Sequence, residues 1–421
     1  MRDIKISKIT AREVLDSRGN PTIAATAFAG ELSATAMVPS GISTGTHEAL
    51  ELRDRDSRYN GKGVLKAVSN VNNVLAKRLF GEDCTGQREI DNVMISLDGT
   101  DNKIKLGGNS ILAVSMAVCR LGAMARGIPL YEYIAQLSGR KAFQLPVPQL
   151  NVINGGKHAD QENDIQEHSI MPVKAKSFAE GLRMSTETYY ILKGMLHVKY
   201  GARGTLIGDE GGFVPPIGNV QDRLAIMSDA INAAGYRGKI KLAIDCASSQ
   251  FYRNGKYNVA GKLYSPGELV DFYSELCSRF DVISVEDGMA EDDWAGWAEL
   301  TRKLGKKVQI IGDDLTATNV KRIKQAIEKK AMNSLLLKLN QIGTVSEAID
   351  AATLAFSQKW AVVVSHRSGE TEDTFIADAV VGLQANQSKF GAPARSERTA
   401  KYNRLLEIEQ ELGKKAVYAR M

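Results

Sequence analysis

Cysteine is scarce in this chain: Cys84, Cys119, Cys246 and Cys277 are the 4 in 421 residues, with no CxxC pair and no zinc-site spacing. A disulfide framework is therefore not expected, whereas free thiols in a reducing compartment are. An excess of one charge is missing too. The 54 basic and 49 acidic residues leave a formal charge of +5 spread along the chain. No basic block is interleaved with aromatics, so nucleic-acid binding gains no support. Met1-Arg2-Asp3-Ile4-Lys5 opens with charges rather than a signal-peptide core, and no apolar run approaches membrane-spanning length. Low-complexity segments and short-period repeats are lacking as well. These absences predict a cytoplasmic protein with no membrane span and no nucleic-acid partner. A hydrophobic content of 43% with 24% charged residues fits a globular chain, long enough for a large core and two domains.

The first part reads as α+β. Ile4–Val14, Thr22–Phe28 and Glu31–Val38, broken by Asp16-Ser17-Arg18-Gly19-Asn20-Pro21 and by Gly30, predict a strand meander. The loop Val38–Glu48 that follows is rich in glycine and hydroxyls. It is either a connector or a mobile lid carrying hydroxyls to a ligand. Val64–Phe80, with Val64, Val68, Val71, Val74, Leu75 and Leu79 on one side, and the apolar Ser110–Gly127 then read as helices. Pro146 and Pro148 make Gln144–Gln149 the linker candidate. It separates an N-terminal α+β domain, residues 1–140 with a lid at 38–48, from a second domain, residues 141–421.

Beyond the linker, Leu150–Asn154 and Ile165–Val173 predict strands, Phe178–Tyr200 a long helix and Arg398–Leu412 a last one. Adjacent acids among glycines at Gly208–Phe213 predict either a surface turn or a close backbone approach to a ligand, with paired carboxylates raising one another's pKa. From there apolar segments alternate with amphipathic ones, and each apolar segment stops at polar chemistry. Lys241–Ile244 runs into Asp245, Asp281–Val285 into Glu286 and Asp287, and Val308–Gly312 into Asp313 and Asp314. Ser334–Leu337 runs into Lys338, and Ala361–Val364 into Ser365-His366-Arg367-Ser368. Repeated strand–helix units of this kind close into a TIM-like α/β barrel whose strands end at one face, where active sites lie. Each residue also has a plainer reading: a lysine that leaves the sheet for water, or acids that cap the following helix. Caps do not account for the second acid beside both Glu286 and Asp313.

Three acids at strand ends, with no cysteine or histidine cluster, form a hard oxygen-donor site suited to Mg²⁺ and not to zinc. Arg367 and Ser368 offer a planar fork and a hydroxyl to a phosphate or carboxylate. Metal, base and anion clamp together describe proton abstraction next to a substrate carboxylate, where divalent ions stabilise the carbanion. Lys338, near those cations, is expected to have a lowered pKa and to act as a neutral base.

At this point the chain resembles the enolases (phosphopyruvate hydratases) over essentially its whole length. The matching motifs include Asp16–Thr22 (DSRGNPT), Val38–Glu48 (VPSGISTGTHE), Gly208–Phe213 (GDEGGF), Ser284–Trp294 (SVEDGMAEDDW), Leu335–Gly343 (LLLKLNQIG), Ser365–Asp378 (SHRSGETEDTFIAD) and Gly391–Arg398 (GAPARSER). The resemblance implies an enolase-type barrel that begins with two strands and two helices, and a homo-oligomer that is at least a dimer. It implies reversible dehydration of 2-phosphoglycerate to phosphoenolpyruvate with two Mg²⁺ ions per site, a lysine base beside magnesium being the superfamily's known arrangement. By motif position, Asp245, Glu286 and Asp313 hold the first metal and Ser43 the second. Lys338 is the base, and Glu210, supported by Glu167, protonates the leaving hydroxyl. His158, Gln166, Arg367, Ser368 and Lys389 contact the substrate, a small phosphorylated hydroxy acid.

The chain departs from the family's usual pattern beside these positions. Ile42 stands in the lid where alanine is usual, and His168-Ser169 follow Glu167 where an aromatic and a thioether are usual. Ser388 and Phe390 flank Lys389. Neutral repacking is one reading. The others are a paralogue acting on a phosphonate or a modified phosphoglycerate, and a non-catalytic binding protein on the same frame.

Overall fold

A computed structural model describes residues 4–41, 47–159, 161 and 163–421. At the N-terminal end, β1 (Lys8–Leu15), β2 (Pro21–Ala29) and β3 (Leu32–Met37) form an antiparallel meander. Its turn follows from side-chain chemistry. Asp16 Oδ1 accepts from the Arg18 and Asn20 N–H groups, and Gly19 takes the positive φ of 74° that the tight turn requires.

Helices pack behind this sheet. The segment read as one helix, Val64–Phe80, is helical over Leu65–Leu79 but carries a π turn at Val71–Leu75. That turn shifts the apolar stripe, so Val71, Leu75 and Leu79 are buried while Val74 is exposed. The sequence expectation of no run near membrane-spanning length needs correction at Gly108–Arg126. This helix of 19 residues is long and apolar enough to cross a membrane, yet 83% of that window is buried. It packs on β2 and β3 as a core helix.

The rest of the chain builds a closed eight-stranded barrel in the order β10-β11-β12-β13-β14-β4-β5-β6. Its strands are β4 (Val147–Asn154), β5 (Glu167–Met171), β6 (Lys241–Asp245), β10 (Val282–Glu286), β11 (Gln309–Gly312), β12 (Ser334–Leu337), β13 (Ala361–Ser365) and β14 (Gln387–Lys389). A small side sheet of β7 (Tyr252–Arg253), β8 (Lys256–Val259) and β9 (Lys262–Tyr264) follows β6. Half of the proline-marked linker is thus already strand: Pro148 pairs with Ser388 beside it on β14. The barrel opens with two strands, β4 and β5, and then two helices, Phe178–Tyr200 and Val220–Ala233, before β6.

Local signals place the helices. Ser177 caps the first of these two by accepting from the Glu180 N–H, and Asn219 caps the second through the Asp222 N–H. Ser265 and Glu268 form a reciprocal capping box on Pro266–Phe280. Inside the barrel, side chains alternate, so each inward residue at the rim sits above another two positions earlier. Beneath the polar rim, Ile311, Leu336 and Val363 make their own apolar cluster. The cysteines are free, with Cys84, Cys119 and Cys246 buried.

Candidate active site

Strand direction decides which residues reach the barrel mouth. β6, β10, β11, β12, β13 and β14 are parallel, and the strand-end residues fall side by side: Asp245 opposite Glu286, and Ser365 opposite Lys389. β5 runs against its two neighbours, so it contributes its first residue to the same face. Glu167 pairs with Asp245 on one side and Asn154 on the other. One pocket therefore gathers Glu167, Glu210, Asp245, Asp313, Lys338, Arg367 and Lys389, together with His158, Gln166 and Ser368. All were expected from the sequence or the resemblance. Glu286 lies immediately behind, fully buried. Ser43 and Ile42 lie outside the described residues.

The lysines are paired, not solvated. Lys389 Nζ lies 2.8 Å from Asp245 Oδ2, 2.8 Å from Glu286 Oε1 and 3.1 Å from Glu167 Oε2. Burial alone would favour its neutral form, but the three carboxylates hold its pKa well above the ordinary lysine value. Lys338 Nζ lies 2.5 Å from Asp313 Oδ2. The lowered pKa expected of it presupposes bound cations. Among the protein's own groups, burial pushes the amine down, but Asp313 and then Glu286 outweigh it and raise the pKa. Asp313 itself is lowered despite burial, by Lys338, Arg367 and Lys389, and its Oδ1 accepts from Gln341 Nε2 at 2.8 Å.

A second group of side chains surrounds Glu210. It accepts from Asn151 Nδ2 at 3.0 Å and Ser368 Oγ at 3.1 Å, and faces His366 Nε2 at 3.5 Å and His158 Nδ1 at 3.8 Å. The tautomer of His366 is dictated by Arg398. That guanidinium can only donate, and its Nη1 is 2.6 Å from His366 Nδ1, so the imidazole proton is on Nε2, toward Glu210. Burial lowers the His366 pKa to about 3, so it acts as a neutral donor. The pairing expected between Asp209 and Glu210 is not what tunes this site. Burial would raise Glu210, but His158, His366 and Arg398 bring it well below the ordinary carboxylate value. Glu167, buried and beside that charge, is pushed well above. The two carboxyls are thus pushed apart, Glu167 toward its protonated form and Glu210 toward its ionised one.

Two expectations gain partners the sequence did not reveal. The Arg367 fork is engaged by Glu48, with Nη1 donating at 2.8 Å and Nη2 at 3.2 Å. The second acid beside Glu286 is an anchor: Asp287 Oδ1 accepts from the Asp313 N–H at 2.9 Å and Oδ2 from the Asp314 N–H at 3.0 Å. His366 was in plain view in the motif at the end of β13, and its place at a strand end was the available signal. Asp287, Glu48, Asn151 and Arg398 act only through tertiary contacts.

The donor set fits a hard divalent cation. Among the described residues, Glu167, Glu210, Asp245, Asp287, Asp313 and Asp314 line the pocket against only Lys338, Arg367 and Lys389 as permanent cations. The fully buried Glu286 keeps one oxygen, Oε2, without a hydrogen-bond partner among the described residues. The ligand atoms that already converge, within 4.8 Å of one another, are those of Asp287, Asp313 and Asp314, and those of His158, Glu167 and Glu210. Asp314 is raised to about 8, by burial and by Asp313.

The fold and site define an α/β-barrel enzyme that works on a small anionic substrate with buried acids and bases and a hard metal ion. Residues 6–134 match the enolase N-terminal domain and residues 142–421 the enolase C-terminal TIM barrel domain. The chain is 55% identical over 418 residues to the enolase of Thermococcus gammatolerans and 54% identical over 418 residues to that of Thermococcus kodakarensis, covering 98% of this chain and 96% of each relative. It is 52% identical over 410 residues to the enolase of Methanocaldococcus jannaschii, covering 97% of this chain and 96% of that one. The chain belongs to the enolase family. It is a soluble glycolytic lyase that dehydrates 2-phosphoglycerate to phosphoenolpyruvate, and a metal cofactor comes with the family. Four of the departures from the usual pattern fall in the packing around the site: His168, Ser169, Ser388 and Phe390 are fully buried, and none lines the pocket.

Proposed function

We propose that Lys338 removes the proton from the carbon bearing the phosphate while Glu210, backed by Glu167, delivers a proton to the departing hydroxyl. The observation that carries this reading is the Lys338 amine 2.5 Å from Asp313 in the same pocket as Glu210. A lysine abstracts a proton only when neutral, and weakening its bond to Asp313 is what releases it. Asp245, Glu286 and Asp313 would hold one Mg²⁺ and Ser43 a second; bound there, magnesium supplies positive charge against the negative charge that builds on the substrate carboxylate. Lys389 then has substrate oxygens in place of some of its carboxylate partners. Arg367, Ser368, His158 and Gln166 orient the phosphorylated acid, and Arg367 must exchange Glu48 for it at least in part.

On the other side, Glu210 is held by Asn151 and His366, which fixes its direction, while Glu167 stores the proton. Residues 1–140 serve as the cap, with 38–48 as its lid, over a catalytic barrel of 141–421. Likeness to the family supports reading the protein as a dimer-based homo-oligomer that works in the cytoplasm. Two measurements test the reading. Purified protein with 2-phosphoglycerate and Mg²⁺ should turn over well above about 1 per second, and slower turnover would favour a modified substrate. Calorimetric titration with Mg²⁺ should count two ions per chain once substrate is present, and a single ion would remove Ser43 from the scheme.

A further inference from the structure

Arg223 lies outside the pocket, in the first turn of the helix Val220–Ala233, and three penalties meet in it. Its side chain is fully buried. Its positive charge stands at the positive end of a helix dipole. Its Nε and Nη1 have no hydrogen-bond partner among the described residues. Burial of a charge on such terms is offset only by good partners, and those among the described residues belong to the polar loop between β4 and β5 or to the approach to its own helix. Arg223 Nη2 lies 2.6 Å from Asp164 Oδ2, and donates to Gln161 Oε1 at 2.7 Å and to the Ile217 carbonyl at 2.6 Å. The loop's first residue is pressed against the same group: a Cβ at Gly155 would stand 2.8 Å from Nη1 and 2.3 Å from the Ile165 carbonyl. The guanidinium thus touches the start, the middle and the end of one loop.

His158 rides on that loop, in the short turn Gly156–Ala159. Its Nδ1 is 3.7 Å from Glu167 and 3.8 Å from Glu210, and has no hydrogen-bond partner among the described residues, while its Nε2 is 3.5 Å from Ser368 Oγ. Among the described residues, no side chain of this turn makes a hydrogen bond to the ring. We propose that Arg223 is a positioning residue for His158: a buried guanidinium that gathers Gly155, Gln161 and Asp164 and so sets the imidazole in front of the Glu167–Glu210 pair. This rests on the reading of His158 as a substrate contact.

The test is steady-state kinetics on 2-phosphoglycerate at saturating Mg²⁺ for Arg223→Met, Arg223→Lys and Gln161→Ala, each alone and combined with His158→Ala. Displacing a positioned group by about 1 Å costs about 100-fold, so Arg223→Met should lose about that much kcat/KM, mostly in kcat. Arg223→Lys, or millimolar guanidinium added to Arg223→Met, should restore part of it. Gln161→Ala removes one charge-assisted hydrogen bond but leaves the buried ion pair and the Ile217 carbonyl as partners, so it should still fold, with a slightly lowered Tm, and lose about 5-fold. In the His158→Ala background all three losses should vanish. Equal losses with and without His158, or no loss in Gln161→Ala and Arg223→Lys, would overturn the proposal while leaving the role of His158 intact. If His158→Ala alone keeps full kcat/KM, the substrate-contact reading fails first and the proposal falls with it.

Discussion

Lys338 and Asp313 hold each other across 2.5 Å at the barrel mouth, a base expected to be neutral bonded to a carboxylate expected to hold metal. Each group is in the protonation state that suits the other: Asp313 is pushed down, chiefly by Lys338 once burial is overcome, and Lys338 is pushed up, chiefly by Asp313. Loss of the amine should therefore cost chemistry without costing the cation site. Lys338→Ala is expected to reduce kcat by about 10⁴-fold and to abolish hydrogen exchange at the substrate's second carbon. Mg²⁺ binding should stay measurable by calorimetry, because Asp313 remains and loses its competitor. Exchange that survives, followed by deuterium loss in NMR, would mean that another group is the base.

The Glu210 side of the pocket makes the complementary prediction. Glu210→Gln keeps the shape and keeps acceptance from Asn151 or Ser368 through the amide oxygen, but it removes the carboxyl that passes on a proton. Dehydration should fall by about 10²–10⁴-fold, while exchange at the second carbon continues because Lys338 is untouched. Loss of both would undo this division of labour.

How far the sequence alone could reach depends on which contacts are local. The acids of β6, β10 and β11 and the lysine after β12 were legible because parallel strands all finish at one face, so a strand's last residue announces its place. Glu167 was not legible that way: it is the first residue of β5, and only the antiparallel pairing with Asp245 turns it toward the site. Its assignment came through family likeness. The sign of the Lys338 shift was likewise out of reach, since it depends on whether the nearest charge is a carboxylate or a metal ion. The Arg367–Glu48 pair spans the two ends of the chain's fold, and no spacing rule connects those positions. Val74 shows a local failure, where one π turn inside a helix moved an apolar residue to the surface.

Asp287 makes a prediction about metal affinity. It takes a left-handed φ of 44°, strained for a residue with a side chain, and spends both oxygens on the backbone N–H groups of Asp313 and Asp314. The effect is to lock the direction in which the Asp313 carboxylate leaves β11. Asp287→Asn turns one acceptor into a donor facing an N–H, so one of the two anchors must break. Groups that orient a ligand in this way are typically worth about 10–100-fold in metal affinity. Mg²⁺ affinity by calorimetry should fall by that factor, with the far-ultraviolet circular dichroism unchanged. An unchanged affinity would show that Asp313 is held well enough without it.

His168 gives the protein a pH sensitivity that an aromatic residue there would lack. It is fully buried, with Nδ1 on the Ile153 carbonyl at 3.2 Å and Nε2 unpartnered among the described residues, and burial, with Arg223 nearby, lowers its pKa well below 6.5. The folded chain therefore keeps this imidazole neutral, whereas the unfolded chain takes up a proton as pH falls through about 6.5. The unfolded state binds more protons in that window, so stability is fully present above it and is lost as pH falls. His168→Phe removes the effect and also removes an unsatisfied nitrogen. The variant's stability advantage should grow by about 1.4 kcal/mol between pH 7.5 and pH 5.5, measured by urea denaturation at matched protein concentration. His366, also held neutral by burial, is present in both proteins and cancels in the difference. An advantage that stays constant across that range would mean the imidazole is protonated in the folded chain and that its surroundings are wetter than its burial implies.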